Sequence, residues 1–102
     1  MKYIIIGLGN FGSTLATRLT SIGHEVFGVD NRLEIVEQYK NKITHTICLD
    51  SSRPGSLNSL PIHDADQVIV AIGEDVGASI LTTALIKQHN AKSIISRAIN
   101  PL

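Results

Sequence analysis

The chain has 102 residues, 43% of them hydrophobic and 18% charged, a composition typical of one soluble globular domain. Nine Lys and Arg residues balance nine Asp and Glu residues, and this excludes the strongly basic surface of a general nucleic-acid-binding protein. No apolar run approaches the roughly 20 residues needed to span a bilayer, so direct membrane insertion is not expected.

The first part of the chain predicts a strand, a helix and a second strand. Lys2–Ile6 is rich in β-branched residues and too short for a helix, which indicates a strand. The helix that follows is predicted from an apolar stripe with helical spacing, formed by Phe11, Leu15, Leu19 and Ile22. Gly23 suits the left-handed position beyond a helix end, and Glu25–Val29 is predicted as the second strand.

A second helix and a third strand come next. Arg32–Lys40 is predicted to be helical, and Thr44–Leu49 to be a strand. The helix is expected to bury Leu33 and Val36, with Tyr39 as a further candidate.

The remaining elements complete the alternation. Arg53–Leu60 is a weaker and shorter helical segment, and Gln67–Ile72 is the most apolar strand, which suggests burial on both faces. Asp75–His89 is the longest predicted helix, and Ser93–Ser96 is the fifth strand. The apolar surface of the long helix is wide, which indicates either deep packing or contact with a partner; it comprises Ile80, Leu81, Ala84, Leu85 and Ile86.

Strands that alternate with helices predict an α/β fold, here a Rossmann-like, doubly wound parallel sheet in three layers. Right-handed crossovers favour the strand order 3-2-1-4-5, with the switch point between the first and fourth strands. Ligands of such sheets bind beyond the carboxyl ends of the strands, at the switch point.

A glycine motif, Gly7-Leu8-Gly9-Asn10-Phe11-Gly12, lies between the first strand and the first helix. In this motif the first glycine allows a tight turn, the second lets a phosphate approach the backbone, and the third lets the helix pack against the sheet. The N–H groups and positive dipole of the helix start attract phosphate. The sequence therefore predicts a nucleotide phosphate site at residues 7–12.

Asp30 follows the second strand, where a carboxylate accepts hydrogen bonds from ribose hydroxyls. Its negative charge disfavours a 2′-phosphate, so NAD or a plain adenosine nucleotide is predicted and NADP is disfavoured. Asn31 is included in the predicted site beside it. Arg32 either softens this preference or is a surface arginine that opens the second helix, and the second interpretation is favoured.

Other candidate binding residues follow the remaining strands. Asp50 and Ser51 end the third strand, where they either face an adenine ring or form a solvated turn. Ile72 and Gly73 end the fourth strand and are expected to face the glycine motif. Arg97 ends the fifth strand and is interpreted as a contact for phosphate or a neighbouring chain, or as a plain surface arginine.

Signatures of catalysis and metal binding are missing from the sequence. The four histidines are scattered without metal-ligand spacing, and there is no Gly-x-Ser-x-Gly elbow. Neither Tyr3 nor Tyr39 is followed four residues later by the lysine of short-chain dehydrogenases. Cys48 lies in an apolar run and is predicted to be a small core residue. No catalytic and no metal-binding residue is predicted.

The sequence resembles the N-terminal domain of the KTN/RCK family, also called TrkA-N, and most closely its Ktr-type regulatory subunits. The segments that carry this resemblance are Ile6–Gly12, Gly23–Val26, Val29–Asp30, Asp64–Asp66, Val68–Gly73 and Ala78–Thr83. The resemblance implies a regulatory domain, peripheral to the cytoplasmic face of the membrane, that acts on a membrane-embedded potassium channel or transporter subunit. It also implies a homo-oligomer, either a dimer or a larger ring, whose gating responds to bound NAD(H) or ATP/ADP.

Two further expectations come from comparing this sequence with the family pattern. Ktr-type subunits that sense ATP carry an arginine at the position of Asn10, so NAD(H) is favoured here, while ATP, ADP and AMP stay possible. Family members continue into a C-terminal ligand-binding domain, so residues 1–102 are expected to be the N-terminal nucleotide-binding domain of a longer protein. The alternatives are the NAD-binding domain of a truncated dehydrogenase and a stand-alone nucleotide sensor.

Overall fold

The computed structural model describes residues 1–96, which form one parallel sheet with helices on both faces. The strands are β1 (Lys2–Ile6), β2 (Glu25–Asp30), β3 (His45–Cys48), β4 (Gln67–Val70) and β5 (Ile94–Ser96). The α-helices are α1 (Asn10–Ser21), α2 (Leu33–Tyr39) and α3 (Val76–Gln88). A short 3-10 helix, Ser56–Ser59, lies between β3 and β4.

The strand order is β3-β2-β1-β4-β5 and every pairing is parallel, which confirms the predicted topology. Ile6 at the end of β1 pairs with Val29 on one side and with Val70 on the other. The strand β1 therefore lies between β2 and β4. From β1 the chain continues to β2 and β3 on one side of the sheet, and β4 and β5 lie on the other side. This is the switch point at which doubly wound sheets bind ligands.

Two apolar layers hold the helices to the sheet, because successive strand residues point to opposite faces. Ile5 is fully buried in one layer, with Val26 and Ile69, and packs towards α1 through Ala16. The opposite layer contains Ile4, Ile6, Val29, Val68, Val70, Leu57, Leu60, Ile62 and Ile86. The sheet is thus covered on both faces, as predicted.

The predicted helix Arg53–Leu60 was wrong in type and length, since the chain forms only the 3-10 helix Ser56–Ser59 there. Gly55 precedes it with a φ of +82°, a left-handed conformation that interrupts a continuous α-helix. Pro61 follows and prevents extension. Three α-helices and one short 3-10 helix therefore connect the strands, in place of four helices.

The apolar stripe predicted for α1 was wrong at both of its ends. Phe11 is 44% exposed and Ile22 is 68% exposed, whereas the buried residues of the helix are Gly12, Ser13 and Ala16. Small residues let α1 approach the sheet closely, so the larger side chains lie beside the contact or beyond it. Leu15 and Leu19 pack at its margin.

Single-residue burial predictions also failed in two other elements. Leu33 is exposed because α2 contacts the core one turn later, through Val36. Cys48 is exposed at the end of β3, an edge strand, and is not a core residue. In α3, Ile80 and Leu81 are exposed, which excludes deep packing for these two residues and leaves contact with a partner as the interpretation.

The buried surface of α3 consists mainly of Ser79, Thr82 and Ile86, so the wide apolar surface of this helix is not deeply packed. Within residues 1–96, no helix is both long enough and apolar enough to cross a membrane.

Candidate functional site

A crevice of about 830 Å³ opens at the carboxyl ends of the strands, at the switch point. Its volume is within the range of small-molecule sites. It brings together most of the predicted binding residues, namely Gly7, Leu8, Gly9, Asn10, Phe11, Asp30, Asn31, Asp50, Ser51, Ile72 and Gly73. Gly12 does not line the crevice and lies beneath the loop, and Arg97 falls outside the described residues.

Gly7 and Gly12 are required by the backbone geometry of the loop. Gly7 has a φ of +102°, and a Cβ there would lie 2.9 Å from the carbonyl carbon of Ala71. A Cβ on Gly12 would overlap the carbonyl oxygen of Gly7 and lie 3.3 Å from the Cβ of Ala71. The loop therefore folds back over the first turn of α1 and against the end of β4. The tight turn and the close packing predicted for these two glycines are confirmed.

Gly9 has a different environment, since no atom lies within 4 Å of the position that a Cβ would take. It is the N-cap residue of α1, and as a glycine it has no side chain that could accept a hydrogen bond from the N–H groups of the first turn. The first turn also contains no acidic residue. These N–H groups therefore begin a helix with open space at Gly9 and no competing anion in the turn, which suits a phosphate group.

Asp30 is almost completely buried, with 6% of its surface exposed, and its carboxylate joins β2 to the glycine loop. The backbone N–H of Leu8 donates to Oδ2 at 2.8 Å. The backbone N–H of Arg32 donates to Oδ1 at 2.9 Å. The acidic end of β2 thus holds the loop between β1 and α1 in place, a role that the sequence did not predict.

The Arg32 side chain forms a two-pronged ion pair with the same carboxylate. Its Nε donates to Oδ1 at 3.0 Å and its Nη2 donates to Oδ2 at 3.2 Å. Burial acts to raise the pKa of Asp30, but the hydrogen bonds from Arg32 and Leu8 and the guanidinium charge outweigh it and lower the pKa. Asp30 is therefore an anion at neutral pH. Arg32 begins α2, as the favoured interpretation expected, but it is also an ion-pair partner within the site.

Asp50 lines the crevice and at the same time stabilises a turn. Its Oδ1 accepts hydrogen bonds from the backbone N–H of Ser52 at 3.0 Å and from the Ser52 hydroxyl at 2.6 Å. These bonds lower the pKa of Asp50, and a weaker ion pair with Arg53 at 3.4 Å adds to the effect. The two interpretations of Asp50, as a site residue and as a turn residue, therefore describe the same side chain.

Ser51 is buried and directs its hydroxyl away from solvent. The Ser51 Oγ lies 2.9 Å from the Oγ1 of Thr82, a fully buried residue of α3. On the opposite rim, Asp75 caps α3 by accepting a hydrogen bond from the backbone N–H of Ala78 at 2.9 Å. The crevice is therefore connected to α3 at two points. Ser51 contacts the middle of the helix through Thr82, and Asp75 caps the N-terminus of the helix.

Several lining residues were not predicted from the sequence. One wall is formed by Ile35, Gln38 and Tyr39 of α2, which share a helix face with Arg32. This periodicity is visible in the sequence, but the mixture of apolar and polar side chains gave no reason to select them. Glu74 lines the opposite rim and adds a further negative charge to those of Asp30, Asp50 and Asp75.

The chemistry of the crevice is that of binding. Its groups include the backbone N–H groups of a helix start, a buried carboxylate, and a mixture of apolar and polar side chains, and the lining described within residues 1–96 includes no histidine, cysteine or lysine. Across residues 1–96, no group of three or more His, Cys, Asp or Glu side chains is arranged to hold a metal ion. Such a site can hold an anionic group, a sugar and a ring.

Comparison with known proteins agrees with this architecture. The NAD(P)-binding domain of an exopolyphosphatase-related protein from Archaeoglobus fulgidus has a TM-score of 0.83 at 23% identity, covering 97% of this chain and 74% of that one. The Shewanella denitrificans Kef CTD in AMP-bound form has a TM-score of 0.76 at 22% identity, covering 98% of this chain and 60% of that one. At these identities the likeness concerns the fold.

Sequence comparison identifies the family. Ktr system potassium uptake protein A of Bacillus subtilis (strain 168) is 38% identical over 99 residues, which are 97% of this chain and 45% of that protein. The chain thus spans less than half the length of this relative. The model of the TrkA-N domain matches residues 3–102. Because this match covers nearly the whole chain, the chain belongs to the TrkA-N domain family.

Proposed function

We propose that this chain is the nucleotide-sensing domain of a regulator that controls a membrane potassium channel or transporter. In this proposal the crevice binds NAD(H) or another adenosine nucleotide. The observation that carries the proposal is the contact between Asp30 and the N–H of Leu8, at 2.8 Å. It joins a candidate ribose acceptor and a candidate phosphate loop into a single site.

Each part of a nucleotide has a matching group in the crevice. A phosphate would lie over Gly9, where the backbone is open and the helix start is positively polarised. A ribose would donate its hydroxyls to Asp30, and a base would lie between Asp50–Ser51 and Ile72–Gly73. The similar Kef CTD is a structure in AMP-bound form, which supports an adenosine nucleotide as the ligand.

Two side chains support a choice among the nucleotides, the charged Asp30 and the neutral Asn10. Asp30 is anionic and buried, so it disfavours the 2′-phosphate of NADP. Asn10 lines the phosphate side and is neutral, so it gives no added attraction for the terminal phosphate of ATP. NAD(H) is therefore the favoured ligand, ADP, AMP and ATP are the other possibilities, and NADP is disfavoured.

We assign a regulatory role to this binding because the chain belongs to the TrkA-N domain family and is similar to Ktr system potassium uptake proteins. Ktr system potassium uptake protein A is named for potassium uptake, which implies a membrane-embedded transport subunit as the partner. The domain would then lie at the cytoplasmic face of the membrane and be held there by that partner. A nucleotide would act by binding one of two conformations more tightly than the other.

A homo-oligomer, either a dimer or a larger ring, is the assembly that would transmit this change. The exposed apolar residues of α3 offer a surface for a second copy of the chain, and they are Val76, Ile80 and Leu81. The Ser51–Thr82 contact connects the crevice to the same helix. Occupancy of the site therefore has a short physical route to the proposed interface.

Calorimetry with NAD, NADH, NADP, ATP, ADP and AMP tests the proposed function. We expect the wild-type chain to bind at least one nucleotide without a 2′-phosphate. In Asp30→Asn the binding free energy should be weaker by about 1–3 kcal/mol. Asp66→Asn is the matched control, because Asp66 also accepts a backbone N–H, from Lys2 at 2.7 Å, but lies outside the crevice. Absence of binding by every nucleotide would contradict the proposal, and tightest binding of NADP would contradict the role of Asp30.

A further inference from the structure

The carboxylate of Asp30 has no free acceptor position in the described structure. A carboxylate offers about four lone-pair sites, two on each oxygen. Oδ1 accepts from the backbone N–H and the Nε of Arg32, and Oδ2 accepts from the N–H of Leu8 and the Nη2 of Arg32. A ribose that donates two hydroxyls to this group must therefore replace two existing donors.

The four donors are not equally replaceable. The N–H groups of Leu8 and Arg32 belong to the backbone and are fixed by the loop and by the start of α2. The guanidinium ends a flexible side chain that is 47% exposed, whereas the Asp30 side chain is only 5% exposed. The guanidinium is thus the component that can leave for solvent while the carboxylate stays in place.

Charges near Arg32 favour its release to the rim of the crevice. The negative charges of Glu74 and Glu34 both attract the guanidinium, although less strongly than Asp30 does. Glu74 lines the rim on the α3 side. A displaced Arg32 side chain therefore keeps an electrostatic partner and is not left as an isolated buried charge.

We propose that Arg32 competes with the ribose of the ligand for Asp30, so that the guanidinium holds the carboxylate until a sugar with free hydroxyls displaces it. This inference rests on the proposed nucleotide site. The exchange replaces two guanidinium donors by two hydroxyl donors, and no covalent bond changes. Arg32 then lowers the affinity of the site for every ribonucleotide and acts as a positioning residue through Asp30.

The test is calorimetry and NMR titration with AMP and with 2′,3′-dideoxy-AMP, which lacks both hydroxyls. We expect Arg32→Ala to bind AMP roughly two- to fivefold more tightly, the range expected for loss of a partly exposed ion pair. The affinity for dideoxy-AMP should not change. In the wild-type chain, AMP should shift the Arg32 Nε–H resonance and dideoxy-AMP should not.

Two further variants separate this role from general charge and stability. Arg32→Lys keeps the charge but loses the two-pronged geometry, and we expect an intermediate gain in affinity. Arg53→Ala removes an equal charge from the ion pair with Asp50 and should leave AMP affinity unchanged or slightly weaker.

Weaker or unchanged AMP binding by Arg32→Ala would overturn the competition and leave the nucleotide site standing. A failure of AMP and NAD to bind either the wild-type chain or Arg32→Ala would overturn both proposals.

Discussion

The hydroxyl groups of Ser51 and Thr82 lie 2.9 Å apart in the interior between the end of β3 and α3. Both residues are buried, and within the described residues no buried side-chain polar atom lacks a hydrogen-bond partner. A buried hydroxyl that loses its partner costs more free energy than the bond itself contributes. This pair therefore fixes the crevice loop to the middle of α3.

We expect Thr82→Val to lower the free energy of unfolding by about 1–2 kcal/mol, because it leaves the Ser51 hydroxyl buried and unpaired. Ser51→Ala in the Thr82→Val background should cost less than it does in the wild-type chain. Urea denaturation of the wild-type chain, the two single variants and the double variant measures this difference in a double-mutant cycle. Strictly additive effects would contradict the proposed bond.

The glycine loop allows stability and binding to be separated. Gly12→Ala places a Cβ against the carbonyl oxygen of Gly7, and we expect a loss of about 2–4 kcal/mol in unfolding free energy. Gly9→Ala meets no atom within 4 Å, so its stability should fall by no more than about 1 kcal/mol, the cost of alanine at an N-cap position. If phosphate approaches the backbone at Gly9, the same methyl group should nevertheless weaken nucleotide binding.

Urea denaturation and calorimetry on the two alanine variants check this prediction. The informative result is a Gly9→Ala protein with nearly normal stability and reduced affinity. Normal affinity in that variant would place the phosphate elsewhere.

Sequence reasoning predicted the sheet well because its signals are local. β1 was predicted with its observed bounds, Lys2–Ile6, since a short β-branched run has few alternatives. The strand order followed from right-handed crossovers within a Rossmann-like, doubly wound sheet, and the positions of Gly7, Gly12 and Asp30 followed from a motif with a fixed geometry. These features depend on backbone conformation, which sequence patterns encode directly.

The errors concern side-chain contacts and exposure, which depend on how the chain turns and packs. Arg32 was interpreted mainly as a surface residue, because its pairing with Asp30 depends on how the chain turns into α2. Cys48 was predicted to be buried because its neighbours are apolar, but β3 is an edge strand and leaves it exposed. The Ser51–Thr82 bond joins residues 31 positions apart, and no local pattern indicates it.

Asp30 also predicts how stability depends on pH. Its pKa is lowered in the folded chain, so the folded state loses stability when this carboxylate is protonated. The contribution is fully present above the ordinary aspartate pKa of about 3.9 and is lost as the pH falls through the lower folded value. We therefore expect the unfolding free energy to fall below about pH 4, less steeply in Asp30→Asn.

Urea denaturation between pH 7 and pH 2.5 measures the two slopes. Asp50 and Asp66 also have lowered pKa values and will leave a residual slope in the variant. Identical slopes in the wild-type chain and in Asp30→Asn would show that the carboxylate has the same pKa in the folded and unfolded states.

The exposed side chains of α3 lead to a prediction about assembly. Ile80 is 64% exposed, although helices of monomeric proteins usually turn such residues inward. Ile22, at the C-terminal end of α1, is 68% exposed and provides a control of the same chemistry at another surface.

If α3 contacts a second copy of the chain, sedimentation velocity should show association that increases with concentration. Ile80→Lys should abolish this association because it places a charge in the apolar contact, whereas Ile22→Lys should sediment like the wild-type chain. A wild-type chain that stays monomeric at the highest concentration, or equal effects of the two lysines, would exclude α3 as the interface.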